Sequence, residues 1–432
     1  MSQSASTPDS FGIPGQDAPA RSTGATNDSA TPTPLTPLIT PAETKVLYEE
    51  AQRMAGKLVE WRRDLHQTPE LGLDLPQTSA YVKARLDEMG IPYTTLVGGS
   101  CVVATLGHGG KCFMLRSDFD ALPVEEESGE PFASTNGHMH ACGHDLHAAI
   151  LLGAAKLLKE REDELPGVVK LMFQPGEEGY MGASVAIREG VLENPKVDAA
   201  FAMHVFAMIP LGQIAWGSEL TASCYSFRIN IRGRGGHGST PQDCIDPINV
   251  GVRIYLALQE LIAREVSPQA EVALTVGKFQ AGETTNVIPE YAELAGTLRT
   301  FDDSVHDYVV RRITELSESL ARAYRAEATV ELVDDVPSTI CDAGLNAEIK
   351  GVINQTLPDV KIIGPMHAMG SEDFGFVTRK VPATYMCIGA MPDDGKGYSQ
   401  HNPKIRFNEK ALPMGAAVYA ATAIDWLKRN AR

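Results

Sequence analysis

Residues 137–147, Gly-His-Met-His-Ala-Cys-Gly-His-Asp-Leu-His, hold four of the chain's eleven histidines together with a cysteine and an aspartate. A buried imidazole needs partners for its ring nitrogens, and a thiolate needs positive charge nearby. A bound metal supplies both, so this density points to metal chemistry rather than to a polar turn. Carboxylates fall at matching places. Asp118 and Asp120 follow an apolar run ending at Arg116. Glu177 and Glu178 follow a run ending at Phe173, through Gln-Pro-Gly, and His204 closes the run 199–203. If these runs are strands of an open α/β sheet, three strand ends deliver ligand-type groups to the carboxyl edge, where such sheets bind ligands. Cys142, His144, Glu178 and His204 are then four candidate metal ligands, and Glu177 is a spare carboxylate able to move protons. Four protein ligands would close a single site, whereas two ions sharing a ligand keep open positions, which favours a binuclear centre.

The elements that must position these groups are readable from periodicity. Thr40-Pro41-Ala42-Glu43 reads as an N-cap, a first-turn proline and a capping-box glutamate. Leu47, Ala51, Met54, Leu58, Trp61 and Leu65 then mark one face of a single helix. Strands are predicted at 101–106, 111–116, 168–173, 199–203 and 384–388. Helices are predicted at 150–159, continuing from the histidine cluster, and at 411–428. Alternation of this kind implies an α/β domain with a mostly parallel sheet. Between these lie a strand at 225–232, a helix at 247–264, strands at 272–279 and 291–298, a helix at 304–324 and a strand at 329–333. That is the β-α-β-β-α-β order of a ferredoxin-like domain. The predicted organisation is a disordered tail over 1–39, rich in Ser, Thr, Pro, Ala, Gly and Asp, a catalytic domain in two parts over 40–221 and 335–432, and an inserted domain over 222–334.

Composition narrows the function. The 432 residues imply two or three domains. A net charge of −17 argues against nucleic acid and against a polybasic membrane surface as partners. The seven cysteines form no Cys-x-x-Cys pair, which favours a reducing, cytoplasmic setting. No apolar run reaches membrane-spanning length, and the N-terminus has no apolar signal core. Cys101, Cys112, Cys224, Cys341 and Cys387 read as packed thiols. Residues 125–127 read as a solvated acidic turn, 107–110 as a hairpin-like loop, and His138, His140 and His147 as lying outside the ligand set.

Read in chain order, further motifs join these. They are Arg62-Arg63-Asp64-Leu65-His66 with Pro69-Glu70-Leu71, Arg116-Ser117-Asp118-Phe119-Asp120-Ala121-Leu122-Pro123, His140-Ala141-Cys142-Gly143-His144-Asp145, and Gln174-Pro175-Gly176-Glu177-Glu178-Gly179. Gly235-Gly236-His237-Gly238, Asn286-Val287-Ile288-Pro289, Gly296-Thr297-Leu298-Arg299, Ser371-Glu372-Asp373-Phe374 and His401-Asn402-Pro403 follow. With these, the chain from about residue 45 onward resembles the amidohydrolase branch of the M20 metallopeptidase family. That branch includes hippurate hydrolases, auxin–amino-acid conjugate hydrolases and N-acyl-amino-acid amidohydrolases.

The resemblance implies two divalent ions per subunit, zinc or manganese. Cys142 would bridge them, His144 and His204 would complete one site, and Glu178 and His401 the other. Glu177 would be the general base and acid, and Asp118 would orient a ligating histidine. His401 enters through the resemblance alone, since locally it is a loop histidine before Asn-Pro. The inserted domain would serve as lid and dimerisation domain. His237 would help hold the oxyanion across a homodimer interface, and Asn286 and Arg299 would meet the substrate's carboxyl end. By residue type alone these three are a turn histidine, a turn asparagine and a strand arginine. Peptidase branches carry a histidine ligand at Arg116 and a bridging aspartate at Cys142, so the amidohydrolase branch is favoured. Gly176 and Gln242 depart from the usual alanine and histidine.

The implied activity is hydrolysis of a small N-acyl or N-aroyl amino acid. Rivals are a dipeptidase or carboxypeptidase with the same centre, and a metal-binding relative without turnover, which would have no need of Glu177. A zinc nucleobase deaminase is disfavoured because no Pro-Cys-x-x-Cys accompanies the cluster.

Overall fold

The computed structural model describes residues 33–431. They form two compact units, 227–331 and the remainder of the described chain, and the divisions fall inside the strands Cys224–Arg232 and Glu327–Val336.

The larger unit is built on an eight-stranded sheet. Its four central strands, in spatial order, are Val168–Gln174, Cys112–Asp118, Ala199–Phe206 and Ala383–Gly389, all parallel. Three of the four are buried at every position, as expected where helices cover both faces of a parallel sheet. Cys101–Gly107 and then Tyr93–Leu96 extend one side antiparallel. Gln213–Trp216, antiparallel to Ala383–Gly389, and then Lys361–Ile363 extend the other. The helices His144–Lys159 and Ala411–Arg429 pack together over the sheet with almost no exposed side chain in either.

Three expectations are corrected here. The capping box at Thr40 is present, but the first helix is two, Pro41–Arg53 and Ala55–His66, broken at Met54, so the apolar stripe continues through a kink. Cys101–Gly107 and Cys112–Asp118 are not hairpin partners, because Val168–Gln174 lies between them. The tail assigned to 1–39 is anchored over its described part. Ile39 is buried, Leu35 N–H donates to the Ala347 carbonyl at 2.9 Å, and Ile39 N–H donates to Asp425 at 2.8 Å. These bonds and that burial offset the entropy of ordering the segment. Residues 1–32 lie outside the described residues.

The smaller unit carries strands Cys224–Arg232, Val272–Ala281, Tyr291–Thr300 and Glu327–Val336. Taken by chain position they lie in spatial order 2-3-1-4. Helices Pro247–Glu260 and Asp303–Ala323 separate the first strand from the second and the third from the fourth. Asp302 caps the longer helix, whose buried residues Val305, Val309, Ile313, Ser317 and Ala321 fall every four positions. A short pair, Gly236–His237 with Val287–Ile288, stands apart from the main sheet.

Candidate metal centre

All five residues proposed as ligands, and Glu177, belong to the larger unit and meet at the carboxyl edge of its sheet. Two left-handed glycines aim them. Gly143, at φ +94°, ends the turn after Cys142 and opens the helix that begins with His144. A Cβ there would stand 2.5 Å from Val205, so only glycine lets the helix start so close to the strand bearing His204. Gly176, at φ +72°, does the same ahead of Glu177, where a Cβ would meet Leu73 at 2.5 Å.

Asp120 fixes the glutamate pair. Its two carboxylate oxygens accept the N–H groups of Glu177 at 3.1 Å and Glu178 at 3.0 Å. Asp120, expected among the ligand-type carboxylates at the strand ends, thus has both oxygens engaged by backbone N–H groups. Each imidazole is turned by a backbone carbonyl. His144 Nδ1 lies 3.0 Å from the Asp120 carbonyl, and His204 Nδ1 lies 2.7 Å from the Val205 carbonyl. Both Nε2 atoms are thereby presented to the cluster. His204 Nε2 lies 3.2 Å from Cys142 Sγ, and His401 Nε2 lies 3.2 Å from Glu178 Oε1. The ligand atoms of Cys142, His144 and His204 lie within 4.8 Å of one another, and so do those of Cys142, Glu178 and His401.

This donor set fits divalent ions. His144 Nε2 is buried with no hydrogen-bond partner in the described residues, which buried polar atoms rarely tolerate. Burial, with Glu178, Glu177 and Asp118 around it, pushes the Cys142 thiol well up, so a thiolate there needs cations beside it. Burial pushes His204 well down and keeps it a neutral donor. Burial works the other way on His144, yet Asp118 and Asp120 hold it up at about 10, so an ion binding there would have to displace a proton. Burial, then Glu372, Glu178 and Asp373, pushes Glu177 well up.

Behind the cluster stands a buried polar layer. Arg116 donates to Gln174 at 2.9 Å, Asp118 at 2.7 Å and Asp373 at 2.9 Å, and lies 2.9 Å from Glu372. Asp118 is placed differently from expectation. Its hydrogen-bonded imidazole is His147, not a candidate ligand, and His144 Nε2 is 3.8 Å away. His147 Nε2 accepts the Val205 N–H at 2.9 Å, so both of its nitrogens are engaged. Glu126, expected in a solvated turn, is instead buried against His66 at 3.1 Å. All seven cysteines are buried and none is in a disulfide, as packed thiols and a ligand thiol require.

His237, Asn286 and Arg299 lie in the smaller unit. The structure brings the first two together. His237 pairs with Val287 across the short ladder, Gly238 N–H donates to the Asn286 carbonyl at 2.9 Å, and Ser239 Oγ lies 2.8 Å from His237 Nδ1. Arg299 lies on the Tyr291–Thr300 strand opposite Ala273, with Nη1 buried and unpartnered among the described residues.

Known proteins resemble this chain over most of its length. Residues 114–425 match the model of peptidase family M20/M25/M40. The chain is 37% identical over 398 residues to IAA-amino acid hydrolase ILR1-like 2 of Arabidopsis thaliana, covering 90% of each chain. It is 35% identical over 360 residues to the N-acetyl-L-cysteine deacetylase of Bacillus subtilis, covering 82% of this chain and 85% of that one. A crystal structure of a dinuclear metal-binding M20 peptidase from Bacillus subtilis superposes with a TM-score of 0.73 at 30% identity, covering 87% of this chain and 99% of that chain. The chain belongs to peptidase family M20/M25/M40 and is a metal-dependent hydrolase of amide bonds. None of the described helices is long and apolar enough to cross a membrane.

Proposed function

We propose that the protein is a binuclear amidohydrolase of N-acyl or N-aroyl amino acids, releasing a carboxylic acid and a free amino acid. The observation that carries the reading is the position of Cys142 Sγ, common to both ligand groups, with Glu177 beside them. His144 and His204 would complete one ion's site, and Glu178 and His401 the other's. Thiolate and imidazole suit zinc, and carboxylates suit manganese. Two divalent ions held there would polarise the scissile carbonyl and acidify an attacking water. Glu177, whose carboxylate lies 3.9 Å from His144 Nε2, takes the water's proton as the oxygen adds to the carbonyl carbon. It returns that proton to the amide nitrogen as the C–N bond breaks. The relatives named for N-acetyl-L-cysteine and for IAA–amino acid conjugates support this substrate class.

The smaller unit is read as the ferredoxin-like lid and dimerisation domain, on its β-α-β-β-α-β order and its spatial strand order. Val252 and Leu256, exposed on one helix face, suit a homodimer contact. In this reading His237 of one subunit supports the oxyanion in its neighbour, and Asn286 and Arg299 hold the substrate carboxylate.

The direct test is a hydrolysis screen over N-acetyl, N-benzoyl and indole-acetyl amino acids and dipeptides, on metal-stripped and metal-restored protein. Metal-dependent cleavage of the N-acyl compounds is expected, and cleavage of dipeptides alone would overturn the reading. The lid assignment predicts that inactive His237→Ala and Glu177→Gln proteins regain activity on subunit exchange, approaching about a quarter of wild type. No recovery despite proven exchange would confine His237 to its own chain.

A further inference from the structure

Glu177's carboxylate makes no hydrogen bond among the described residues, and its ion-pair neighbour, His144 Nε2, is 3.9 Å away. A proton carrier so loosely tied needs something to aim it. Behind it stand Glu372 and Asp373, whose ligand oxygens and those of Glu177 lie within 4.8 Å of one another. We propose that Glu372, with Asp373, is a positioning residue for Glu177. The proposal rests on the reading of Glu177 as the group that carries the proton.

Both rear carboxylates are fixed, and by different elements. Glu372 Oε1 accepts the Phe374 N–H at 2.9 Å and lies 2.9 Å from Arg116 Nη2. Its Oε2 accepts the Tyr385 hydroxyl. Arg116 and Tyr385 sit on separate central strands, Cys112–Asp118 and Ala383–Gly389, so Glu372 is tied to the sheet twice. Asp373 accepts from Gln174 Nε2 at 2.8 Å, from the Ala183 N–H at 2.8 Å and from Arg116 at 2.9 Å. Both residues are almost wholly buried.

The result is a pair of fixed carboxylates whose oxygens lie within 4.8 Å of a Glu177 oxygen. Glu177 must be ionised to take a proton, and in that form it meets like charge from these carboxylates, a repulsion that is stronger away from water. The Glu177 carboxylate is therefore held off the pair and toward the ligand cluster, where the water to be deprotonated must lie. Glu372 touches neither substrate nor ion in this account. It acts on turnover through Glu177 and leaves substrate binding alone. Replacing it by glutamine removes the repulsion and offers an amide N–H that draws Glu177 backward.

The test uses the full-length, metal-loaded protein and an N-acyl amino acid cleaved by wild type. Glu372→Gln should lower kcat about 100-fold, the order expected for misplacing a catalytic group by roughly an ångström. KM should stay within about two-fold, with metal content and Tm near wild type. Glu372→Asp, which restores the charge, should recover part of kcat. Tyr385→Phe, which frees one Glu372 oxygen, should lower kcat by a smaller factor and serves if the first variant folds poorly. Wild-type kcat in metal-replete Glu372→Gln overturns the proposal. So does a loss of kcat that only follows loss of metal or of Tm. If wild type cleaves no N-acyl amino acid, or Glu177→Gln is fully active, the functional reading fails and the proposal falls with it.

Discussion

Glu177 and Glu178 are adjacent in the chain, and Asp120 holds both their N–H groups, yet their side chains meet different surroundings. Glu178 faces His401 and the Cys142 thiol, whereas Glu177 faces other carboxylates. Substitution should separate them. Glu177→Gln should keep wild-type metal content by elemental analysis while kcat falls ~10²–10⁴-fold, the range of lost acid–base catalysis. Cys142→Ala should lose metal and activity together, because one sulfur serves both ligand groups. Full metal occupancy in that variant would count against a shared thiolate. Cys142, His144, Glu178 and His204 were legible because each stands at a strand or helix end within a dense motif. His401 was not, because its approach depends on a distant loop held by its own N–H on the Ala141 carbonyl at 2.9 Å. The carboxylate pair behind Glu177 was also hidden, since Ser-Glu-Asp-Phe carries no local signal that Arg116 waits beneath it.

Elements with strong periodicity were legible to within a few residues, as in the central strands and the capped helix Asp303–Ala323. The outer strands Gln213–Trp216 and Lys361–Ile363 were missed, having only four and three residues with which to show a pattern. Those strands bring an unusual neighbour. The amine of Lys350, on the helix Ala343–Thr356, lies 2.9 Å from the centre of the Trp216 ring and has no hydrogen-bond partner among the described residues. Burial lowers its pKa to about 8. The folded protein thus resists a charge there that the unfolded chain accepts up to about pH 10.4. This penalty is complete below about pH 8 and is relieved as pH rises from there toward 10.4, because only the unfolded state still holds the proton. The ring face returns part of the cost. Lys350→Met should therefore raise stability by about 1 kcal/mol at pH 7, and the gain should shrink by pH 10. Denaturant unfolding at the two pH values checks this, and a variant equally less stable at both would refute it.

At the scale of the whole described chain, the segment before the first helix behaves as part of the larger unit. Besides its bonds to Ala347 and Asp425, the Ile39 carbonyl accepts Gln355 Nε2 at 2.7 Å. A Cβ on Gly351 would lie 1.9 Å from the Leu35 carbonyl oxygen, so the helix yields room for the strap. Truncation to residue 40 should cost about 2–4 kcal/mol, from one large buried side chain and several hydrogen bonds. Thermal unfolding of that truncation reads the loss, and an unchanged Tm would show that the strap contributes nothing. Composition alone gave no sign of it, because Pro-Leu-Thr-Pro-Leu-Ile reads like the polar segment before it until Asp425 is seen across the fold.

The strap has a consequence for how the chain closes. The Arg429 side chain donates to the Thr36 carbonyl at 2.9 Å, so the two ends of the described backbone lie within one arginine side chain's reach of each other. A short linker could join them, and the polypeptide could be reopened at the exposed tip His108-Gly109, between two strands that do not pair with each other. Such a circularly permuted chain keeps every sheet neighbour while reversing which half of the larger unit leaves the ribosome first.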